Sequence, residues 1–139
     1  MASHPTRDAA DMPPRSSFAA FLDIKTVVCT PEEVICQMVV TPEMGNRNGV
    51  LHGGALMTLA DTAAGTSAFI NSPADVSNTT VEAKTNFTRP IKVGDTVTAR
   101  CVPLHVGRTT VVLQVIMTRG DGKTVGMTSQ THLFLGWKE

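Results

Sequence analysis

Long apolar runs, paired cysteines and a surplus of charge are all missing from this chain of 139 residues. No stretch approaches the ~20 apolar residues that cross a bilayer as a helix, so no membrane partner is expected. No apolar core follows the basic residues near the N-terminus, which argues against a secretory signal. Twelve Lys and Arg balance twelve Asp and Glu, so no global field favours a polyanion and nucleic acid is not an expected partner. The three cysteines, Cys29, Cys36 and Cys101, form no CxxC pair and lie in strand-like apolar stretches. That disfavours thiol-ligated zinc, predicts buried free thiols and fits a reducing cytoplasm. With no tyrosine, one tryptophan and five phenylalanines, an aromatic-stacking pocket cannot be read from the sequence.

What is present is ordinary for one soluble globular domain: 42% hydrophobic and 17% charged residues. Residues 1–16 are small, polar and proline-bearing, and read as a flexible leader to a domain over 17–139. Phe18 to Leu22 can form a short helical turn laying Phe18, Phe21 and Leu22 on the core. From Ile24 to Val40 the chain is β-rich, with Val34, Cys36, Met38 and Val40 on one face and Pro31-Glu32-Glu33 marking a turn. Residues 41–52 read as a loop.

Gly53 to about Ile70 is the strong helix candidate. Ala55, Leu56, Leu59, Ala60, Ala63 and Ala64 recur at helical spacing, and β-branched residues are sparse. Residues 71–78 stop it. In the following strand Val81, Ala83, Thr85 and Phe87 alternate inward, leaving Thr80, Glu82 and Lys84 outward, and Arg89-Pro90 closes it. Residues 95–102, 109–118 and 123–135 supply three more strands, the last two joined by the hairpin signal Arg119-Gly120-Asp121-Gly122. Two strands, one apolar helix and four strands imply an α+β fold, with a curved antiparallel β-sheet wrapped around a long central helix.

Two features carry chemistry. Gly53-Gly54 opens the helix, leaving backbone N–H groups unshielded at its positive end, where an oxyanion can be held without a side-chain donor. Asp61 is a carboxylate in the middle of an Ala/Leu/Thr helix, on a strip with Met57, Thr58, Ala64 and Gly65. Such small and apolar neighbours suit a partner surface better than water. The eight residues between Gly53 and Asp61 correspond to about 12 Å along a helix. One carbonyl cannot touch both within a single chain, so joint action on one substrate would require two subunits.

The spacing Asn46-x5-His52-Gly53-Gly54-x6-Asp61, with the later Arg89-Pro90-Ile91-Lys92-Val93-Gly94-Asp95 segment and the Gly107-Arg108 turn, resembles the phenylacetic-acid-degradation (PaaI-type) group of hotdog-fold thioesterases. The likeness spans about residues 18–135. It implies a helix wrapped by a β-sheet, subunits joined edge to edge as a homodimer or dimer of dimers, and an acyl-CoA substrate. It assigns Asp61 as nucleophile or general base and the Gly53 N–H as oxyanion donor. Asn46 becomes a loop amide holding the thioester or water, and His52 a positioning residue that bonds loop backbone. Gly54 and Thr80 fall at the substrate site. Arg89, Lys92 and Arg108 are candidates for the coenzyme A phosphates. No cofactor or metal is implied. Two other readings are a hotdog dehydratase or hydratase, which would want a His/acid pair at the helix, and a non-catalytic acyl-CoA-binding dimer. The acyl group, aryl-acetyl or medium-chain, stays open.

Overall fold

The computed structural model describes residues 7–136. Its elements run α1 (Ser17–Phe21), β1 (Lys25–Cys29), β2 (Val34–Val39), α2 (Gly53–Ile70), β3 (Ser77–Phe87), β4 (Thr96–Val106), β5 (Thr110–Thr118) and β6 (Thr124–Leu135). One six-stranded antiparallel sheet holds all strands in the order β1-β2-β4-β5-β6-β3. The strand after the helix therefore crosses to the far edge, and β4 returns to pair with β2. That places α2 over the whole width of the sheet, against every strand.

The helix is held by its small and aliphatic face. Leu59, Ala60, Ala63, Ala64 and Ala68 are fully buried, against Val97, Ala99, Leu113 and Val115 of the central strands. Alanines let the axis approach the pleated surface closely. Burial of a side chain like Leu59 is worth about 2 kcal/mol, and its truncation to alanine costs about 2–5 kcal/mol through the cavity left behind. Ala64 belongs to this core face, not to the strip around Asp61. That strip comprises Gly54, Met57, Thr58, Asp61, Thr62, Gly65 and Thr66, all exposed or half-buried.

Two further expectations are corrected. In α1 the buried residue is Ala19, joined by Leu22 at the C-cap, while Phe18 is 57% and Phe21 80% exposed. A five-residue helix can turn only one strip inward, and the three-residue spacing of Ala19 and Leu22 takes it. The second correction concerns β3. Its ladder with β6 shifts register between Thr80 and Glu82. Val81 is the extra residue of this bulge and is exposed, whereas Thr80 sits opposite the buried His132. Of the expected inward residues beyond the bulge only Thr85 is half-buried, while Ala83 and Phe87 are exposed on this edge strand. The bulge itself reverses the facing of Thr80 and Val81, because one added residue inverts a period of two.

The β5–β6 turn follows its sequence signal. Gly122 N–H donates to the Arg119 carbonyl at 2.8 Å, and Gly122 has φ +82°, a conformation that favours glycine. The cysteines are free, with Cys36 and Cys101 fully buried and Cys29 half-buried. Burial pushes the Cys101 thiol up to about 12, so it stays protonated and unreactive. Residues 7–16, read as part of a leader, lie along the outside of α2, and residues 1–6 of that leader are outside the described residues. Among the described residues, no helix is long and apolar enough to cross a membrane.

Candidate active site

The N-terminus of α2 is organised by His52. As N-cap it accepts the Gly54 N–H on Nδ1 at 2.8 Å, while its carbonyl takes the N–H groups of Ala55 and Leu56 at 3.0 and 3.3 Å. Its own N–H donates to the Met44 carbonyl at 2.8 Å, tying the helix start to the loop. Three of the first four helical N–H groups are thus satisfied. Only Gly53 N–H has no acceptor among the described residues. Gly54 is not a free donor, and a Cβ there would lie 2.9 Å from His52 Nδ1.

Asn46 stands beside Gly53 because of a tight turn. Its Oδ1 accepts the N–H of Asn48 at 2.8 Å and of Val50 at 3.3 Å. Gly49, at φ +76°, closes the turn by donating to the Asn46 carbonyl at 3.1 Å. With Oδ1 so engaged, Nδ2 points away from the turn and has no acceptor among the described residues. Asn46, Gly53, Leu56, Phe87 and Arg89 line one depression of about 380 Å³. It holds two unpaired donors, one main-chain and one amide, beside an apolar wall. A Cβ on Gly53 would meet the Phe87 ring at 3.2 Å.

Asp61 lies two turns further along α2 and lines a different cavity, of about 960 Å³. The helix does separate it from Gly53, by about 12 Å. Thr80 Oγ1 donates to Asp61 Oδ1 at 3.1 Å. Behind Thr80 is His132, fully buried, with Nε2 at 3.3 Å from Thr80 Oγ1 and 2.8 Å from Gln130 Oε1, and Nδ1 at 3.0 Å from Asn78 Oδ1. Burial pushes the His132 pKa down, and the nearby Asp61 carboxylate partly opposes this. A neutral imidazole carries one N–H, so one of the two amides must turn its NH2 to the ring.

His132, Gln130 and Asn78 escaped the sequence reading. Their signal was there: Thr128, Gln130 and His132 are polar at alternate positions of β6 that an ordinary half-buried strand fills with apolar residues.

The three basic candidates divide between the two ends of the sheet. Arg89 lines the Gly53 depression and donates from Nη1 to the Thr124 carbonyl at 2.7 Å. Lys92 is exposed, and its backbone bridges Val50 in the same loop region. Arg108 is in the β4–β5 turn, next to Thr109, whose carbonyl accepts the Phe134 N–H at 2.8 Å. Phe134 pairs with Asn78 at the start of β3. Nine strand residues from there to Phe87 amount to about 30 Å, so Arg108 belongs to the Asp61 end. Among the described residues, no three His, Cys, Asp or Glu side chains gather as metal ligands.

Comparison with known proteins decides the family. The model of the thioesterase superfamily matches residues 48–126, more than half the chain, from the Asn46 loop through β5 into β6. The chain belongs to the thioesterase superfamily. A putative esterase of Caenorhabditis elegans is 32% identical over 114 residues, 81% of this chain and 67% of that protein. The acyl-coenzyme A thioesterase PaaI of Escherichia coli is 32% identical over 93 residues, 67% of this chain and 64% of that protein. The solved structure of E. coli PaaI, from the phenylacetic acid degradation operon, superposes with TM-score 0.81 at 29% identity, covering 87% of this chain and 86% of that one. The fold is the hotdog fold, and the protein is a PaaI-type thioesterase, a thioester hydrolase.

Proposed function

We propose that this thioesterase hydrolyses an acyl-CoA to the free acid and coenzyme A in a site shared by two subunits. Gly53 N–H and Asn46 Nδ2 of one subunit hold the thioester oxygen, and Asp61 of the partner subunit acts as general base. The observation that carries this reading is the unpaired Gly53 N–H in a helix start whose other N–H groups are satisfied. A donor left open at the positive end of an 18-residue helix is preorganised for the negative charge that develops on a carbonyl oxygen.

In this mechanism water attacks the carbonyl carbon as its proton passes to Asp61. The tetrahedral oxyanion is held by Gly53 and Asn46. Its collapse breaks the C–S bond, and the proton returns to the leaving thiolate. Thr80, donating to Oδ1, leaves Oδ2 to face the water. Arg89 and Lys92 lie at the Gly53 end and Arg108 at the Asp61 end. Subunits that bring unlike ends together would therefore gather all three around the coenzyme A phosphates. No metal or cofactor takes part.

The test is steady-state hydrolysis of an acyl-CoA panel, followed with a thiol-trapping dye, and a single turnover in ¹⁸O-water. Label in the released acid, with none in Asp61, is the expected result. Label in the Asp61 carboxylate would make it the nucleophile, and binding without thiol release would leave only a binding protein.

A further inference from the structure

Residues 7–16 are pinned across the free face of α2 at both ends. The Arg7 guanidinium donates to Ser72 Oγ at 2.9 Å and to the carbonyls of Ala74 and Val76 at 2.9 and 3.0 Å. Its Cζ lies 3.9 Å from the centre of the Phe69 ring, a cation–π contact at the C-terminal end of the helix. At the other end Arg15 donates to Asp23 Oδ1 at 2.9 Å and to the Ile24 carbonyl at 3.1 Å. Pro13 and Pro14, between the anchors, restrict the backbone.

This strap, α2 and β1 border a half-open cavity of about 960 Å³ that contains Asp61. Met12, Pro13, Val27, Thr66 and Phe69 are among its walls. The lining is more apolar than polar, and several of its polar groups are already engaged. Thr62 and Thr66 spend their hydroxyl protons on the carbonyls of Thr58 and Thr62 at 2.7 and 2.8 Å. The two cations of the lining, Arg15 and Lys25, are both directed to Asp23. Asp61 is the one carboxylate in the lining, so negative charge on the acyl group close to it is disfavoured and an uncharged apolar group is accepted there.

We infer that the 7–16 strap is the outer wall of the acyl-binding cavity, and that Met12 limits the length of the uncharged apolar acyl group admitted beside Asp61. The inference rests on the thioesterase reading. The thioester carbonyl must reach the Asp61 carboxylate, and the acyl arm then continues into the space next to it. Met12 is half-buried and unbranched, so its volume is adjustable without disturbing the core. The strap's position depends on Arg7, which touches nothing in the proposed catalytic machinery.

The experiment uses full-length protein and measures kcat/KM for acetyl-, hexanoyl-, decanoyl- and phenylacetyl-CoA. Met12→Trp is expected to lower decanoyl-CoA turnover by about 10-fold or more, while acetyl-CoA stays within about 2-fold, the scale on which apolar pockets discriminate by size. Met12→Ala and Arg7→Gln, which widen and loosen the wall, are expected to shift the profile toward longer acyl groups. An unchanged length profile in all three variants, with wild-type turnover present, overturns this inference alone. So does an equal loss on every substrate by Met12→Trp. No turnover of any acyl-CoA by the wild type overturns the thioesterase reading and this inference with it.

Discussion

Thr80 Oγ1 and Asp61 Oδ1 are joined by a 3.1 Å hydrogen bond although one residue stands on the edge strand and the other on the central helix. The contact exists because the bulge at Val81 turns Thr80 toward α2. It fixes one carboxylate oxygen and leaves the other free. Asp61→Asn should lower kcat by at least about 100-fold, the low end for a positioned acid–base group. Thr80→Val should cost about 10-fold, the scale of one hydrogen bond to a charge, and Thr80→Ser should restore most of it. Wild-type turnover by Asp61→Asn protein of intact fold would remove Asp61 from the chemistry.

Sharing of the site between subunits can be checked by complementation. Asp61→Ala and Gly53→Val proteins should each be inactive. Refolded together, about half the dimers are mixed, and each mixed dimer has one site with both wild-type residues. About a quarter of all sites should then work, with the two residues about 12 Å apart in any one chain. Verified mixed dimers without activity, or a fully active monomer, would refute the shared site.

His132 makes stability depend on pH. Its folded pKa lies below the ordinary 6.5 because burial disfavours the imidazolium. The unfolded chain therefore binds the proton more readily, and acid favours unfolding. The His132 contribution should be complete above about pH 6.5 and be lost as pH falls from there toward the lower folded pKa, at up to about 1.4 kcal/mol per unit of difference. Urea midpoints measured at pH 7.5 and 5.5 should fall more for the wild type than for His132→Gln. Equal falls would show that His132 is not the group responsible.

Chelation offers a simple control on the proposed mechanism. Prolonged EDTA treatment followed by desalting should leave kcat/KM unchanged. Loss of activity that returns with a divalent ion would require a metal at or near Asp61.

Much of this architecture was legible in the residues. The helix from Gly53 to Ile70 declared itself through alanine and leucine at helical spacing, and it is the element with most core residues on one face. Four strands after one helix sufficed for the α+β class. The facing of Thr80 was not legible, because a bulge depends on how β3 pairs with β6 and has no glycine or proline to mark it. The exposure of Phe18 and Phe21 was hidden for a related reason: a short helix has one inward strip, and neighbouring packing chooses it. Within the site, the residues next to the glycine pair were visible as a local pattern. His132 and Asn78, distant in sequence from Asp61, come to it only through the sheet.

The charges on β3 have an effect that depends on their order. This strand is one of the two edges of the sheet and is eleven residues long, with one row of backbone N–H and C=O groups facing outward. Glu82 and Lys84 flank Ala83 near its middle. Two such edges laid antiparallel about a two-fold axis at Ala83 would set each Glu82 against the other chain's Lys84. An axis at Glu82 or at Lys84 would instead oppose like charges, which is destabilising. In any such pairing these three consecutive residues would act as a registration key, favouring the alignment centred on Ala83 over those centred on Glu82 or Lys84.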